Sequence, residues 1–315
     1  MPSSAIKGHL SLFTANAIWG MMSPVAKVVM VGGTITPIVM TDIRIFGAMI
    51  LFWLISFFTK REHVTHKDLA WLFVASLFAI IFNQGAFILG VSMTSPANAS
   101  IITTSVPLWT MILAALFFKD PITSKKVIGL AMGATGALLL ILSSGIIAKE
   151  DNPHGSILGD IFVVCAEFSF AIYIVFFKKL VSKYSLITVM KWLFTFAFIS
   201  IIPFSYQSLS QTNFAALSLS EIEAVAFIVV GATFLSYLCL VIGQKAVGPT
   251  TAGMYNYVQP TVATGVAIMW GLDSFNMIKG IAIVLIFVGV FLVTRSKTKE
   301  QIAAYKAKQA SAHKA

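Results

Sequence analysis

Residues 90–140 return 153 positions later as residues 243–293, and this repetition limits the possible folds more than any other feature of the chain. Pro96, Pro107, Asp120 and Gly136 recur without a gap as Pro249, Pro260, Asp273 and Gly289. Six more identities accompany them: Gly90/Gly243, Ala99/Ala252, Ala114/Ala267, Lys126/Lys279, Ile128/Ile281 and Leu139/Leu292. Apolar matches come cheaply in a sequence this hydrophobic, but prolines, acids and glycines at unchanged intervals do not. The chain is read as two related halves.

Composition decides the solvent of those halves. A soluble chain is about a quarter charged, whereas this one is 11% charged and 58% hydrophobic, too few charges to cover a water-facing surface. A bilayer core needs about 20 mostly apolar residues per helix. Ten segments qualify: 9–31, 36–58, 68–90, 97–117, 124–144, 156–178, 186–206, 222–242, 250–270 and 276–294. The first is too long for the apolar part of a signal peptide and is followed at once by another span, so it is expected to be retained. Connections are short, and the longest are 145–155 and 207–221. The former divides a first repeat, 1–148, from a second, 156–294, with a basic tail at 295–315. Cys165 and Cys239 lie in apolar runs and read as small buried hydrophobes.

The basic residues orient the spans. With the N-terminus inside, 17 of 22 Lys and Arg fall on the cytoplasmic side, the tail included. Lys149 and Lys279 fall outside, and Lys27, Arg44 and Lys191 lie within spans. The net charge of +10 is thus a topology signal, and no nucleic-acid partner is needed to explain it. Five spans per half is an odd number, so the second half enters the membrane from the opposite side. The expected fold is an all-α integral membrane protein, ten transmembrane helices arranged as two inverted five-helix repeats. Inverted repeats are a recurring build of secondary transporters, in which two similar halves exchange conformations around a central site.

Each half ends with a mid-helix Pro, an acid in a short loop and a Gly-spaced helix: Pro107, Asp120, Gly129, Gly133 and Gly136, then Pro260, Asp273, Gly280 and Gly289. The first helix carries Asn16-Ala17-Ile18-Trp19-Gly20, and the second carries Pro37 with Arg44 seven residues on. Over residues 9–294 the pattern resembles the EamA-type branch of the drug/metabolite transporter superfamily, except that Asp120 and Asp273 stand where that family more often has Glu. The resemblance implies a multi-pass carrier in the cell (inner) membrane, most often an exporter, with a central cavity lined by both halves. It implies no particular substrate.

Polar groups inside a bilayer are costly and default to functional candidates. Glu167 sits near the midplane of the sixth span with no basic residue within ten positions on its helix. It can contact substrate or carry a proton through a transport cycle; the alternative is a carboxyl hydrogen-bonded to a neighbouring helix. Asn16 and Trp19, Asn83 and Gln84, Tyr237, and Tyr255, Asn256, Tyr257 and Gln259 complete the substrate-binding candidates, with polar helix–helix contacts as the competing reading. An apolar cavity with amide and aromatic groups suits amino acids and other aromatic or amphipathic small molecules. Pro107 and Pro260 each remove a helix hydrogen bond and are candidate hinges. Asp42 and Arg44 do not share a helical face, and an interhelical pair of Asp42 with Lys27 competes with an anion site. Lys191 lies close enough to the membrane face to snorkel. Gly129, Gly133 and Gly136, with Gly280 and Gly289, read as close-packing surfaces, within the fold or toward a second subunit, so a monomer and a weak homodimer both stand.

There is no GxxxxGK[ST] loop, no Asp-rich metal motif and no HExxH, so neither ATP drive, a bound metal nor a cofactor is expected. The reading is a carrier of small metabolites working by alternating access, with proton coupling open. A phosphate- or nucleotide-sugar-exchanging carrier would need several basic groups in the cavity, whereas Lys27, Arg44 and Lys191 are expected near the membrane faces. A membrane-embedded enzyme or receptor would need a catalytic constellation or ligand domain that the sequence does not carry.

Overall fold

The computed structural model describes residues 3–118, 123–147, 156–247 and 255–294. Asp120, Pro249, Ala252 and the tail from residue 295 lie outside the described residues. Regular structure among the described residues is helical: α1 (Ser3–Val31), α2 (Pro37–Ser56), α3 (His66–Met93), α4 (Pro96–Phe118), α5 (Ser124–Ile147), α6 (Ile157–Phe176), α7 (Leu186–Gln211), α8 (Leu219–Gln244), α9 (Val258–Met269) and α10 (Met277–Thr294). A helix lies in each of the expected intervals. Six of them, α2, α3, α4, α6, α7 and α8, are long and apolar enough to cross a membrane, and Val258–Met269 and Met277–Gly289 are shorter apolar helices.

Local chemistry sets the ends. Thr36, Thr65, Ser95, Ser156 and Ser185 each accept a backbone N–H from the first turn of the following helix, and Pro37 and Pro96 stand where a helix has no use for an N–H. Ser218 and Glu221 form a reciprocal capping box at the start of α8. Gly271 closes α9 at φ 68°, its N–H on Ile268 while Leu272 N–H reaches back to Ala267.

Glycines set the helix crossings. A Cβ on Gly90, in α3, would lie 2.7 Å from the Gly159 carbonyl oxygen of α6, and one on Gly243, in α8, would lie 3.0 Å from the Gly8 carbonyl oxygen of α1. The repeat-related pair thus seats the third helix of each half on the first helix of the other. A Cβ on Gly289 would lie 2.5 Å from the Gly129 carbonyl oxygen and 2.7 Å from Gly133 N, so α10 crosses α5 backbone to backbone. The glycine surface is therefore consumed within the fold. Gly280 is not part of it; a Cβ there would meet the ring of Phe275 at 3.2 Å. Phe52 of α2 stacks on Phe194 of α7, both fully buried, at 5.7 Å between ring centres.

Several expectations need correction. Pro107 is not interior to a continuous helix: α4 stops at Thr103 and restarts at Val106, so Pro107 occupies the first turn of the second piece. A missing N–H costs little there. Asp42 and Lys27 do not pair: Lys27 Nζ donates to the Ser92 and Thr94 carbonyls at 2.7 and 3.0 Å, capping the end of α3, while neither Asp42 carboxylate oxygen has a hydrogen-bond partner. Cys165 is exposed rather than buried; it lies on an apolar groove of about 650 Å³ between α2, α3, α6 and α7.

The connection before α3 is fastened to the one before α7. Asp68 accepts from Lys183 Nζ at 3.2 Å and from the Tyr184 hydroxyl at 2.6 Å, and Glu62 accepts from the Ser185 N–H and hydroxyl at 3.0 and 2.8 Å.

Two outcomes are expected. Gly289→Leu should cost about 1–3 kcal/mol through overpacking, whereas Gly265→Ala, with nothing within 4 Å of the added carbon, should leave stability unchanged; thermal unfolding of the purified protein in detergent checks both. For the fastening, the Thr188 hydroxyl first, and then the Ser185 groups, hold the Glu62 carboxyl below the usual carboxylate range. A depressed value means the contact is made above the unfolded value and lost as pH falls through the folded one. Amide exchange across residues 178–185, corrected for intrinsic rates, should therefore stay slow at neutral pH, quicken only once pH falls below the usual carboxylate range, and quicken at neutral pH in Asp68→Asn.

Candidate functional site

A cavity of about 410 Å³ lies where both halves meet. From the first half, α1 contributes Trp19, Met22 and Ser23, α2 contributes Arg44, and α3 contributes Asn83, Gln84 and Phe87. The break in α4 adds Ser100, Thr103, Thr104 and Pro107. From the second half, Glu167, Phe170 and Ile174 come from α6, Ala232, Tyr237, Leu240 and Gln244 from α8, and Asn256 and Gln259 from the start of α9. The volume falls within the range of small-molecule sites.

Helix irregularity concentrates here. α3 contains a nine-residue π-helical stretch, Leu77–Gly85, and α8 contains another, Phe227–Leu235. Asn83 and Gln84 lie within the first, and Tyr237 follows the second. Such wide turns present backbone carbonyls sideways and are frequent at functional sites. Side chains answer those carbonyls. Trp19 Nε1 donates to the Ala232 carbonyl at 2.8 Å, Ser169 Oγ donates to Phe78 at 2.9 Å, and Ser236 Oγ donates to Gly231 at 3.0 Å. Asn83 Nδ2 reaches the Ala166 carbonyl of α6 at 3.0 Å. In the second half, Tyr255–Tyr257 is a 3₁₀ turn running directly into α9, with Pro260 in the first turn of that helix.

Seven of the expected binding residues come together on this cavity: Trp19, Asn83, Gln84, Glu167, Tyr237, Asn256 and Gln259, together with Pro107. Two do not join them. Asn16 is fully buried behind the wall, where it donates to the Leu12 carbonyl and accepts from Gln259 Nε2 at 2.8 Å, tying α1 to α9. Tyr255 lies apart, its hydroxyl 2.8 Å from His9 Nδ1. The Tyr257 side chain lies outside the described part of the structure.

Arg44 departs most from expectation. It was read as a group near the membrane face, yet it lines the cavity and is 4% exposed. Its Nε donates to Thr233 Oγ1 at 3.2 Å, and the Thr233 hydroxyl is spent on the Ile228 carbonyl inside the π-helical stretch. Arg44 Nη1 has no acceptor, and Gln84 Oε1 has no donor. Tyr237 lies within electrostatic range of both Arg44 and Glu167, its ring edge-on to Trp19 at 5.6 Å. A charged residue eight positions into a span was itself the sequence signal for Arg44. The π-helical stretches have no such signal. The other intramembrane cations stay outside the cavity: Lys27 caps α3, and Lys191 sits 4.7 Å above the Trp53 ring. Among the described residues no group of His, Cys, Asp and Glu is arranged to hold a metal ion.

Comparison with known proteins places this geometry. The chain is 25% identical to an uncharacterized transporter of Archaeoglobus fulgidus over 84% of its own length and 90% of the relative's. It is 25% identical to a probable amino-acid metabolite efflux pump of Escherichia coli, over 90% of this chain and 93% of that one. An uncharacterized inner membrane transporter of Salmonella typhimurium is 22% identical over 96% of this chain and 99% of its own. One crystal structure superposes with a TM-score of 0.60 at 16% identity, covering 93% of this chain and 96% of the other, a likeness of fold. The family described as EamA-like transporters matches residues 6–142 and again residues 157–295, and the chain is a multi-pass membrane protein belonging to that transporter family.

Proposed function

We propose that the protein is a secondary carrier that exports small amino-acid-like or amphipathic metabolites through the cavity by alternating access. Its helices form ten spans, two inverted five-helix repeats at 1–148 and 156–294, with both termini on the cytoplasmic side of the inner membrane. The observation that carries the reading is one cavity built jointly by matching elements of both halves, with helix breaks and π-helical stretches facing it. Alternating access needs such a site, because substrate must stay in contact with both repeats while they rock. The likeness to the probable amino-acid metabolite efflux pump of Escherichia coli supports the substrate class and the outward direction.

The working parts follow. The break before Pro107 and the 3₁₀ turn before Pro260 act as hinges, since each departs from regular α-helix hydrogen bonding. Glu167, 5% exposed and without a hydrogen-bond or ion-pair partner among the described residues, is the candidate proton carrier. The Asp68–Lys183–Tyr184 fastening closes one end of the bundle and must open during the cycle. A phosphate-exchanging carrier is disfavoured: a phosphate monoester carries about −1.5 to −2, and among the described residues the single cation lining the cavity, Arg44, shares it with Glu167.

Counterflow in proteoliposomes, with and without a pH gradient, tests the reading. Labelled amino acids should exchange across the membrane in wild type, and an imposed proton gradient should drive accumulation. Glu167→Gln should lose the gradient response, so that whatever exchange it retains no longer depends on pH. Gradient-insensitive transport by wild type and variant alike would remove the proton role, and no exchange of any amino acid or aromatic metabolite would remove the carrier assignment.

A further inference from the structure

Resting on the carrier reading, we infer that the cavity is a two-ended site for a zwitterion, with Arg44 binding a substrate carboxylate and Glu167, together with Gln84, binding its ammonium. Arg44 is almost wholly buried yet satisfied on one side only: Thr233 fixes Nε, leaving Nη1 without an acceptor. A guanidinium nitrogen left without an acceptor in a buried site is expensive, and a carboxylate is the group whose geometry matches its planar fork. The opposite sign is supplied from the other half of the chain. Glu167 and Gln84 Oε1 both line the same cavity, one an acid without a partner among the described residues and the other a buried acceptor without a donor. An ammonium has three donors and no acceptor, so it can satisfy both.

The charge balance narrows the class further. Among the described residues one cation and one acid line the cavity and cancel in charge, which penalises a dianion and a dication while a molecule carrying one of each loses nothing. The same cavity is lined by Trp19, Phe87, Phe170, Ile174 and Leu240, an apolar and aromatic surface suited to a hydrophobic side chain. A primary α-amino acid with an aliphatic or aromatic side chain has this pattern; an amine, a carboxylic acid or a sugar phosphate has only part of it. Because Arg44 belongs to the first repeat and Glu167 to the second, such a ligand bridges the two halves.

The test uses the intact purified protein in lipid nanodiscs, with leucine, leucinamide and N-acetylleucine as probes and ligand-induced thermal shift as the readout. Wild type should bind leucine about 10–100-fold more tightly than either analogue, the discrimination expected when a buried polar partner is lost. Arg44→Gln should abolish the preference for leucine over leucinamide, with Arg44→Lys intermediate. Glu167→Gln should abolish the preference over N-acetylleucine alone. Melting without ligand shows whether each variant is folded; where Arg44→Gln is not, Arg44→Lys and the wild-type analogue series decide. No leucine binding by wild type, equal binding of leucinamide, or an unchanged leucine-to-leucinamide ratio in a folded Arg44 variant would overturn the site. Counterflow of leucine separates this from the carrier reading. Binding with the expected discrimination but no exchange removes the carrier and keeps the site; exchange without the discrimination keeps the carrier and removes the site.

Discussion

Hydrocarbon offers a backbone amide no partner, so every departure from regular helix inside a bilayer has to be answered by protein or by a water-filled space. In this chain the departures gather on one cavity. The wide turns of α3 and α8 and the interruptions before Pro107 and Pro260 all border it. The side chains that meet the displaced carbonyls come largely from neighbouring helices: Trp19 on Ala232, Ser169 on Phe78. Polar side chains near the cavity therefore have two roles. Some hold an irregular backbone in place, as Ser236 and Thr233 do, and others are left with hydrogen-bonding capacity for a guest.

Arg44 shows how the two roles connect. It reaches from α2 to Thr233, whose own proton is committed to a carbonyl in the wide turn of α8. The guanidinium is oriented by an irregularity in the opposite repeat, and the residue lines the cavity with Nη1 left without an acceptor. A rearrangement of α8 would therefore move the anchor of Arg44, and a ligand on Arg44 would bias the shape of α8.

Much of the architecture was legible because it rests on periodicity and length. Apolar runs of membrane-crossing length located the helices, and the Thr and Ser that precede Pro37 and Pro96 mark two of their starts. The cavity wall was legible as far as it rested on polar residues in apolar surroundings: Asn83, Gln84, Glu167 and Gln259 were expected there and are there. What escaped depends on rotation and on neighbours. Asn16 and Trp19 share a face of α1, yet one turns into the packing against α9 while the other reaches α8 and the cavity. Arg44 and Lys27 look alike in sequence, but only the end of α3 lies within reach of Lys27. The wide turns depend on tertiary support that no local pattern encodes, and the proline breaks were visible while their form, a restart rather than a kink, was not.

The glycine pair that first marks the repetition has a further consequence. Because Gly90 and Gly243 seat each third helix on the first helix of the opposite half, neither half can complete its own packing. Physically the molecule is a pair of incomplete subunits joined end to end. The connection between residues 147 and 156 acts as a tether, turning what would be a concentration-dependent association into an intramolecular one. Sequence divergence is then free at the ligand-facing positions and restrained at the seams, where a side chain on one half has to fit a surface encoded by the other.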